Sequence, residues 1–386
     1  MGEIAIARNQ IIMLAKETTR GTLTFPSTGG SAIETIGAGN AEINQNPNFT
    51  DSDEGRNTRD VISRFSDARP AGTWTIPTYM RPSGTAGTAP QDDLLYESFF
   101  GKKSVVTNTS VTYTQAIEKP SFSIWLQQDH TLFFASGATV STLKPTITNQ
   151  GGVKQEWSGG FMYMGWVGSD IVTAGQSAGA TQIKVSDTKR FCVGGRVYNK
   201  TKNDDNSGAG YEITAIDSGT SKITIDTGIS VAWELNDEVT PFLPARVTVG
   251  DPLQNSLTTV DVGSDTGKKL QSLDFTLNDP VSYIEDEISQ QGYPTAYLED
   301  VRDYSGELNM YFRKNDLRYF YDAYHGTSTN VTVHFGTTAG SKATLTFPYA
   351  SIEVPQISIN APAVNIAIKV KALGSSGEDS ANLVFT

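Results

Sequence analysis

Short runs of alternating apolar and polar residues occur along most of this chain, and such runs predict β-strands. Clear alternation is seen in residues 74–76, 222–225 and 344–347, where aromatic and β-branched side chains fill many of the apolar positions. A helical spacing of apolar residues occurs in two short segments, 92–100 and 316–324. The pattern therefore predicts a mainly β protein with two short helices.

Each of these helices carries recognisable end signals. Asp92 and Asp93 stand at the start of the first helix, where the helix dipole favours negative charge, and Gly101 follows its last residues. Asn315 is the expected N-cap of the second helix, and Gly326 follows that helix. We therefore expect both helices to stop at their glycines.

The two halves of the chain repeat the same motifs in the same order. The repeated motifs are a strand that ends at a proline, a strand that carries Arg and Gly, a helix end that reads aromatic, acid, small, aromatic, any, glycine, and a strand with a central proline. In the first half they are residues 40–47, 69–76, 96–101 and 143–147, and in the second half residues 274–280, 302–310, 321–326 and 353–357. A repeat of such long period indicates two copies of one structural unit.

The repeat divides the chain into four segments. Residues 1–30 form an N-terminal arm, residues 31–165 the first unit, residues 166–246 an all-β insert without a counterpart, and residues 247–386 the second unit. The arm is apolar but has no clear period, so we expect it to pack on a neighbouring subunit. The fold class predicted is two tandem β-sandwich or barrel units, each with one flanking α-helix, plus the small inserted domain.

Composition fits this prediction and narrows the function. The 386 residues include 36 glycines and 16 prolines, only 19% are charged, and the net charge is −12. Such an acidic chain is unsuited to binding DNA by neutralising its phosphates. The single Cys192 excludes a disulfide within one chain and is predicted to be a small buried residue. The sequence shows no signal peptide and no membrane span, so we expect no membrane insertion and folding in a reducing cytoplasm.

Candidate catalytic and metal-binding groups are sparse. His130, His325 and His334 show no metal-ligand spacing, and His325 is expected to cap the carbonyls of its helix. Residues 204–206 resemble the start of a calcium loop, but Ala215 stands where the bidentate Glu is needed. We find no nucleophile elbow and no phosphate-binding loop. The sequence therefore predicts no catalytic residue, no metal, no cofactor and no enzymatic activity.

Acidic clusters follow the first strand of both units. Residues 51–54 and 285–287 hold the clusters, and arginines stand close to the first of them. One interpretation is a pair of solvated hairpin tips. The other is a charged contact or lining surface that each subunit presents twice. An acid pair for glycoside hydrolysis would need a sugar cleft, for which the sequence gives no support.

At these motifs the chain resembles the tail tube, or major tail, proteins of long non-contractile-tailed bacteriophages (siphophages). Residues 17–22 resemble the N-terminal motif of the family, and residues 302–306, 315–326 and 371–385 resemble its later motifs. The resemblance covers residues 1–165 and 247–386. The doubling is similar to that in tail tube proteins of chi-like phages, which seek flagella.

The resemblance implies a structural role in the virion tail. Family members are β-sandwiches with a helix at the side; they join edge to edge into rings, and the rings stack into a hollow tube. It implies assembly in the host cytoplasm and contacts with the tape measure protein, the tail terminator and the distal tail or baseplate proteins. DNA would pass through the lumen without specific binding. Most members place six single-unit chains in a ring, so two units per chain predict a trimeric, pseudo-hexameric ring.

Two further expectations follow from the ring. The insert 166–246 should face outward, because at the lumen it would narrow the bore, and its deletion should leave assembly intact. The tips at 48–60 and 281–292 should bridge successive rings. The candidate inter-ring contact residues are Asp51, Asp53, Glu54, Arg56, Arg59, Glu285, Asp286 and Glu287.

The rival interpretation is a secreted or surface-displayed β-sandwich adhesin or carbohydrate-binding module. Such a protein would share the Thr- and Gly-rich strands but would normally need export, and the sequence shows no export signal. A hydrolase is a third class, and it lacks any catalytic constellation.

Overall fold

The computed structural model describes residues 6, 9–27, 32–33, 35–36, 41–54, 59–245, 247, 250–285, 287, 292–360 and 362–386. The structure is mainly β, as the alternation predicts. Elements of the first half are β1 (Gln10–Lys16), β2 (Ala32–Ile33), β3 (Glu42–Asn44), β4 (Phe49–Asp51), β5 (Arg64–Ser66), β6 (Gly72–Tyr79), α1 (Asp93–Phe100), β7 (Gly101–Val106), β8 (Ser110–Gln115), β9 (Phe122–Gln128), β10 (Thr131–Ile147), β11 (Lys154–Phe161) and β12 (Tyr163–Val167).

The elements between and after follow in chain order. The insert contains β13 (Asp170–Ile171), β14 (Gln182–Lys184), a 3-10 turn (Thr188–Arg190), β15 (Arg196–Asn199), β16 (Tyr211–Asp217), β17 (Lys222–Ile225) and β18 (Glu238–Pro241). The second half contains a 3-10 turn (Asn255–Leu257), β19 (Thr259–Val262), β20 (Asp265–Lys268), β21 (Ser272–Asn278), β22 (Val281–Tyr283), β23 (Tyr297–Glu299), β24 (Asp303–Tyr311), a 3-10 turn (Lys314–Asp316), α2 (Leu317–His325), β25 (Thr329–Thr338), β26 (Ser341–Ile352), β27 (Gln356–Asn360), β28 (Ala363–Leu373) and β29 (Asn382–Phe385).

Nineteen of the described strands are hydrogen-bonded into one barrel-like system in which the two halves show the same pairing order. We call sheet one the strands β1-β9-β10-β12 of the first half and β19-β25-β26-β29 of the second. We call sheet two the strands β3-β6-β11-β10 of the first half and β21-β24-β28-β27 of the second. The long β10 belongs to both sheets, and β26 with β27 takes its place in the second half.

The glycine of the repeated Arg-Gly strand has the same use in both halves. Gly72 on β6 lies beneath the ring of Phe161, and Gly306 on β24 lies beneath the ring of Phe275. A Cβ atom at either glycine would collide with that ring. Both halves therefore need glycine so that an aromatic ring can pack directly on the backbone of sheet two.

The two halves share one hydrophobic core. Trp74 and Trp157 of the first half and Leu308 and Phe347 of the second belong to a single buried cluster. Because sheet two runs unbroken from β3 to β27 and the core spans the junction, the two units form one packed body.

The insert has a six-stranded sheet, β13-β18-β15-β16-β17-β14, and it covers the far side of sheet one. Met13, Trp125 and Phe134 of sheet one are buried in the same cluster as Ile213 and Trp233 of the insert. The first-half strands of sheet one therefore bury both faces, and this explains why β9 is buried continuously over residues 122–126.

The arm does not behave as the sequence predicted. Residues 10–16 form β1, which pairs over its whole length with β9 of its own chain, and Ile12 and Met13 are buried there. The expectation that this segment packs on a neighbouring subunit is therefore wrong for residues 10–16. The two-sided burial of sheet one explains why the segment has no clear alternation.

The second helix starts differently from the prediction. Asn315 is not the N-cap, because it lies within the 3-10 turn Lys314–Asp316 that precedes α2. The carboxylate of Asp316 accepts the backbone N–H of Arg313 at 2.7 Å and is buried against Lys268 Nζ at 2.8 Å. This buried acid fixes the turn, and the α-helix begins one residue later.

Candidate assembly surfaces

The two halves are joined through sheet two by the antiparallel pairing of β10 with β21. Leu143 lies opposite Leu277, and Ile147 lies opposite Leu273. All four side chains point into the shared core and are nearly inaccessible. This junction is a contact between one unit and the next within a single chain, and the pairing of β8 with β29 adds a second link between the halves.

A buried ion pair reinforces that junction. Lys119 Nζ lies 2.9 Å from Asp279 Oδ2, and both side chains are almost fully buried. Arg302 Nε donates to the same carboxylate oxygen at 2.9 Å. Burial lowers the pKa of Lys119, and the carboxylate of Asp279 opposes that effect. The pair ties the end of β21 to the chain segment between β8 and β9.

The hairpin β22–β23 of the second half crosses this junction and packs on the first half of its own chain. The Tyr283 hydroxyl lies 3.1 Å from Thr139 Oγ1 and donates to Gly137 O at 3.2 Å. Its ring lies where a Cβ at Gly160 would collide. Burial raises the pKa of Tyr283. Tyr283 therefore anchors the hairpin on β10 and β11.

The remainder of this hairpin is also held by the first half. The Tyr297 hydroxyl donates to Lys119 O at 2.8 Å, and the guanidinium of Arg20 lies 3.7 Å from the centre of the Tyr297 ring. Glu285 Oε1 accepts the backbone N–H of Ala71 at 2.6 Å. Arg20 belongs to the N-terminal motif 17–22, so part of that motif holds the second-half hairpin in place.

Glu17 of the same motif is a buried acceptor. Its carboxylate accepts the hydroxyls of Ser121 and Ser123 at 2.7 and 2.8 Å. It also accepts the backbone N–H groups of Gly21 and Gly137, both at 2.8 Å. Four donors surround one carboxylate, so Glu17 fixes the turn after β1 against β9 and β10.

The corresponding hairpin of the first half, β4–β5, is not packed in this way within the part of the chain that the structure describes. All six residues of β4 and β5 are exposed. Four of the hairpin's apolar side chains are 54–59% exposed, namely Phe49, Val61, Ile62 and Phe65. The guanidinium of Arg64 pairs with Asp51 across the hairpin and holds its two strands together. Exposed apolar side chains on a formed hairpin are typical of a contact surface.

The predicted inter-ring residues are distributed over these two hairpins. Asp51, Asp53, Glu54 and Arg59 lie on or next to β4–β5 and are exposed, while Arg56 and Asp286 lie outside the described residues. Glu287 is exposed, and Glu285 is bonded to its own chain as described above. Their role between rings stays a prediction.

Sheet two ends in two strand edges that no described strand covers. β27 pairs only with β28, and β3 pairs only with β6, within the part of the chain that the structure describes. On β27, Ile357 is 50% exposed and Ile359 is 79% exposed. Ile357 lies opposite the buried Ile366, so these isoleucines lie on the core side of the sheet although half or more of each side chain is exposed. Open edges of this kind are natural sites for pairing with another chain.

The face of sheet two that points away from the core is polar. It carries acids and lysines in neighbouring positions, including Lys144 beside Glu156 at 3.3 Å and Lys371 beside Asp303 at 3.3 Å. The charged residues on this face are Glu42, Lys144, Lys154, Glu156, Asp274, Asp303, Glu307, Glu353, Lys369 and Lys371. Because the insert packs on the far side of sheet one, this polar face and the insert lie on opposite sides of the sandwich.

The groups examined for metal or catalytic chemistry have structural contacts instead. Asp204 accepts the Tyr211 hydroxyl and Trp233 Nε1, both at 2.8 Å, inside the insert. His325 Nδ1 lies 2.8 Å from Tyr321 O at the end of α2. Cys192 is half-buried, and burial raises the pKa of its thiol. Among the described residues no group of His, Cys, Asp and Glu could hold a metal ion, and no described helix is long and apolar enough to cross a membrane.

Sequence reasoning missed two features of these surfaces. The exposed apolar residues of β4–β5 were not singled out, although Phe49 and Phe65 interrupt an otherwise polar segment and could have given the signal. Lys119 was not recognised, because an isolated lysine in a loop sequence gives no sign that its partner Asp279 lies in the other half.

Comparisons with known proteins add one finding. A family model described as phage tail tube protein matches residues 7–372, a range that includes the insert and most of both halves. A search of curated proteins found no match.

Proposed function

This chain belongs to the phage tail tube protein family and is a structural component of a phage tail; we propose that three copies close into each ring of the tube. The observation that carries this proposal is the junction inside the chain. β10 of the first half pairs with β21 of the second, so one unit-to-unit contact is already built. The two units show the same pairing order and are joined within the chain, and each end of sheet two has an edge that no described strand covers.

The open junction has the same strands as the closed one. In the pairing order of sheet two, β27 occupies the place of the second part of β10, and β3 occupies the place of β21. β27 of one chain is therefore the counterpart of β10, and β3 of the next chain is the counterpart of β21. Pairing these two edges would continue sheet two from chain to chain, and a closed ring would leave none of these edges exposed.

The polar face of sheet two then lines the channel. The sandwich presents the insert on one side and this polar face on the other. In a closed ring with this face inward, passing DNA meets both charge signs with an excess of acids. Clustered lysines would instead bind the DNA phosphates and hold them. The same orientation turns the insert 166–246 outward. In this arrangement the channel serves for DNA ejection and holds the tape measure protein before ejection.

The remaining parts of the proposal come from the family. The rings stack into the tube of a long non-contractile siphophage tail, assembled in the host cytoplasm. The tube is closed by a tail terminator at one end and by distal tail or baseplate proteins at the other. The match of the family model over most of the chain supports a self-assembling tail component rather than the adhesin alternative.

The test replaces the exposed isoleucines of β27. We expect the double variant Ile357→Lys, Ile359→Lys to fold as a monomer, because both side chains are exposed in the free chain, but to form no rings, because ring closure would bury the two charges. Circular dichroism checks the fold, and negative-stain microscopy with native mass spectrometry measures assembly. Rings formed normally by this variant would refute edge pairing.

The matched control is Val231→Lys, Leu235→Lys. These two apolar residues are 44% and 60% exposed on the insert, away from sheet two, and the variant should assemble like the unmodified chain. In the unmodified protein, a ring mass of six chains instead of three would contradict the trimer.

A further inference from the structure

The two hairpins of this chain occupy equivalent places in the repeat but have different surroundings. β22–β23 follows β21, crosses the β10–β21 junction and is anchored on the first half by Tyr283 and Tyr297. β4–β5 follows β3, which has the place of β21 in the first unit, and its strands stay exposed. Because the repeated element is packed in one copy and exposed in the other, the exposed copy lacks its counterpart surface among the described residues of the chain.

The missing surface belongs to a second half, since the packed hairpin rests on a first half that lies across a sheet-two junction. If β3 pairs with β27 of a neighbouring chain, β4–β5 crosses that junction in the same direction. It then arrives over the second half of the neighbour. This arrangement rests on the proposed ring. It gives the β27–β3 junction between two chains the geometry of the β10–β21 junction within one chain.

The second half borders a cleft with a mixed polar and apolar lining at the matching place, and Ile117 of the first half adds to this lining. The cleft has a volume of about 480 Å³ and is lined by residues at the start of β24 and the end of β28. In the first half, the corresponding region around β6 and β11 receives β22–β23. Three apolar residues at the cleft are Ile117, Val301 and Leu373, which are 70%, 82% and 38% exposed. Docking would therefore bring the exposed apolar groups of the hairpin against these three residues and beside the charged side chains that also line the cleft.

We propose that hairpin β4–β5 docks into this cleft on the next copy of the chain in the same ring. The partner is a second copy of this protein, and the contact is made by Phe49, Val61, Ile62 and Phe65 of one chain and Ile117, Val301 and Leu373 of the other. Burial of these side chains removes apolar surface from water on both partners and stabilises the ring beyond the pairing of strand edges. The acidic residues Asp53 and Glu54 beyond β4 are not part of this contact.

Cross-linking tests the docking directly. The variant carries Phe65→Cys and Val301→Cys with Cys192→Ser to remove the native thiol, and assembled tubes are treated with a short bismaleimide that joins two thiols. Lateral docking joins each chain to the next around one ring, so we expect covalent species that stop at the ring size, seen as a trimer on a denaturing gel. Each single-cysteine variant is the matched control and should stay monomeric on the gel.

The alternative outcomes separate this inference from the proposed function. A ladder that extends beyond the ring size would show a contact between successive rings and would overturn the inference. Tubes without any double-cysteine cross-link would overturn it as well. Covalent species that stop at six chains would support the docking and refute the trimeric ring.

Hydrogen exchange gives a second test, in which the side chains of the hairpin are left unchanged. In tubes of the natural chain, we expect the backbone amides of β4, β5 and residues 59–63 to be protected relative to the monomeric Ile357→Lys, Ile359→Lys variant. Amides of the exposed turn 218–220 in the insert serve as the internal control and should exchange equally in both. Equal exchange of the hairpin in tube and monomer would also overturn the docking.

Discussion

At the scale of single residues, Asp92 shows how burial can reverse the meaning of a sequence signal. The sequence places it at the helix start, where negative charge is favourable. In the structure its side chain is buried and accepts the Thr78 hydroxyl at 3.0 Å. Burial raises the pKa of Asp92 to about 7, and the Thr78 hydrogen bond and the charge of Arg81 oppose the rise only in part. The cost of desolvating the carboxylate exceeds the benefit of the helix dipole.

The raised pKa of Asp92 predicts a pH dependence of stability. The folded state binds the proton more tightly than the unfolded chain, so the stabilisation is complete below about pH 4 and is lost as the pH rises through about 7. Asp92→Asn keeps an acceptor for Thr78 and carries no charge. We expect its free energy of unfolding to exceed that of the natural protein at pH 8 by a few kcal/mol, which is the free energy to which the pKa shift of Asp92 corresponds.

Urea denaturation at pH 5 and pH 8 measures this effect. The difference between Asp92→Asn and the natural protein should grow with pH, while the exposed control Asp251→Asn should show a constant difference. Parallel stability curves for Asp92→Asn and the natural protein would contradict the raised pKa.

At the scale of elements, equivalent strands differ according to what covers them. β9 is buried on both faces, since the insert packs on Trp125. Its counterpart β25 has no insert above it and alternates Val331, Thr332, Val333 and His334. The helices differ in the same way. α1 lies under the hairpin β7–β8 and is largely buried, whereas α2 has no such hairpin, and its Leu317, Tyr321 and Tyr324 are 63–83% exposed.

Deletion of the insert would uncover the apolar face of sheet one that it covers. The ends of the insert are adjacent, because Asp170 pairs with Val239, so residues 170–241 can be replaced by a short linker. A simple deletion uncovers Met13, Trp125, Leu132 and Phe134, and we expect it to aggregate. The same deletion with Trp125→Thr, Leu132→Thr and Phe134→Thr, which imitates the polar face of β25, should assemble into tubes with a smoother exterior.

Light scattering and negative-stain microscopy distinguish these two deletion variants. The triple Thr substitution in the chain with its insert is the control, and it should lose stability because it places polar groups in the insert core. If the polar-faced deletion variant folds but forms no tubes, the insert contributes to assembly itself.

At the scale of the whole molecule, assembly needs contacts along the tube as well as around the ring. The apolar side chains of hairpin β4–β5 are assigned to lateral docking, and the acids Asp53 and Glu54 are assigned to stacking. We expect Asp53→Lys, Glu54→Lys to keep the subunit and ring intact and to shorten tubes or make their length sensitive to salt. Asp51 is left unchanged because it pairs with Arg64 inside the hairpin.

Tube length distributions at low and high salt measure this stacking prediction. Individual exposed ion pairs contribute only about 0–1 kcal/mol, but every ring repeats them. The control is Asp226→Lys, Glu234→Lys on the insert, which should leave the tube length unchanged. Normal tube length for the Asp53→Lys, Glu54→Lys variant at all salt concentrations would show that these acids do not contribute to the inter-ring contact.

The sequence by itself determined the mainly β class, the two helices with their glycine ends, and the order of the repeated motifs. These properties depend on the local pattern of side chains, since alternation, turn residues and helix ends act over a few neighbouring positions. The repeat motifs also pointed to the correct family, because their order is preserved across both halves.

The tertiary structure alone decided how the two units meet and which surfaces stay uncovered. β1 lacks alternation because both of its faces are buried, so its sequence could not reveal that it pairs with β9 of its own chain. Lys119 and Asp279 are far apart in sequence and form a buried pair through the fold. The hairpins β4–β5 and β22–β23 follow equivalent strands of the repeat, and only packing shows that one is anchored and the other exposed. Burial and pairing between distant segments are set by the whole chain, so no local pattern encodes them.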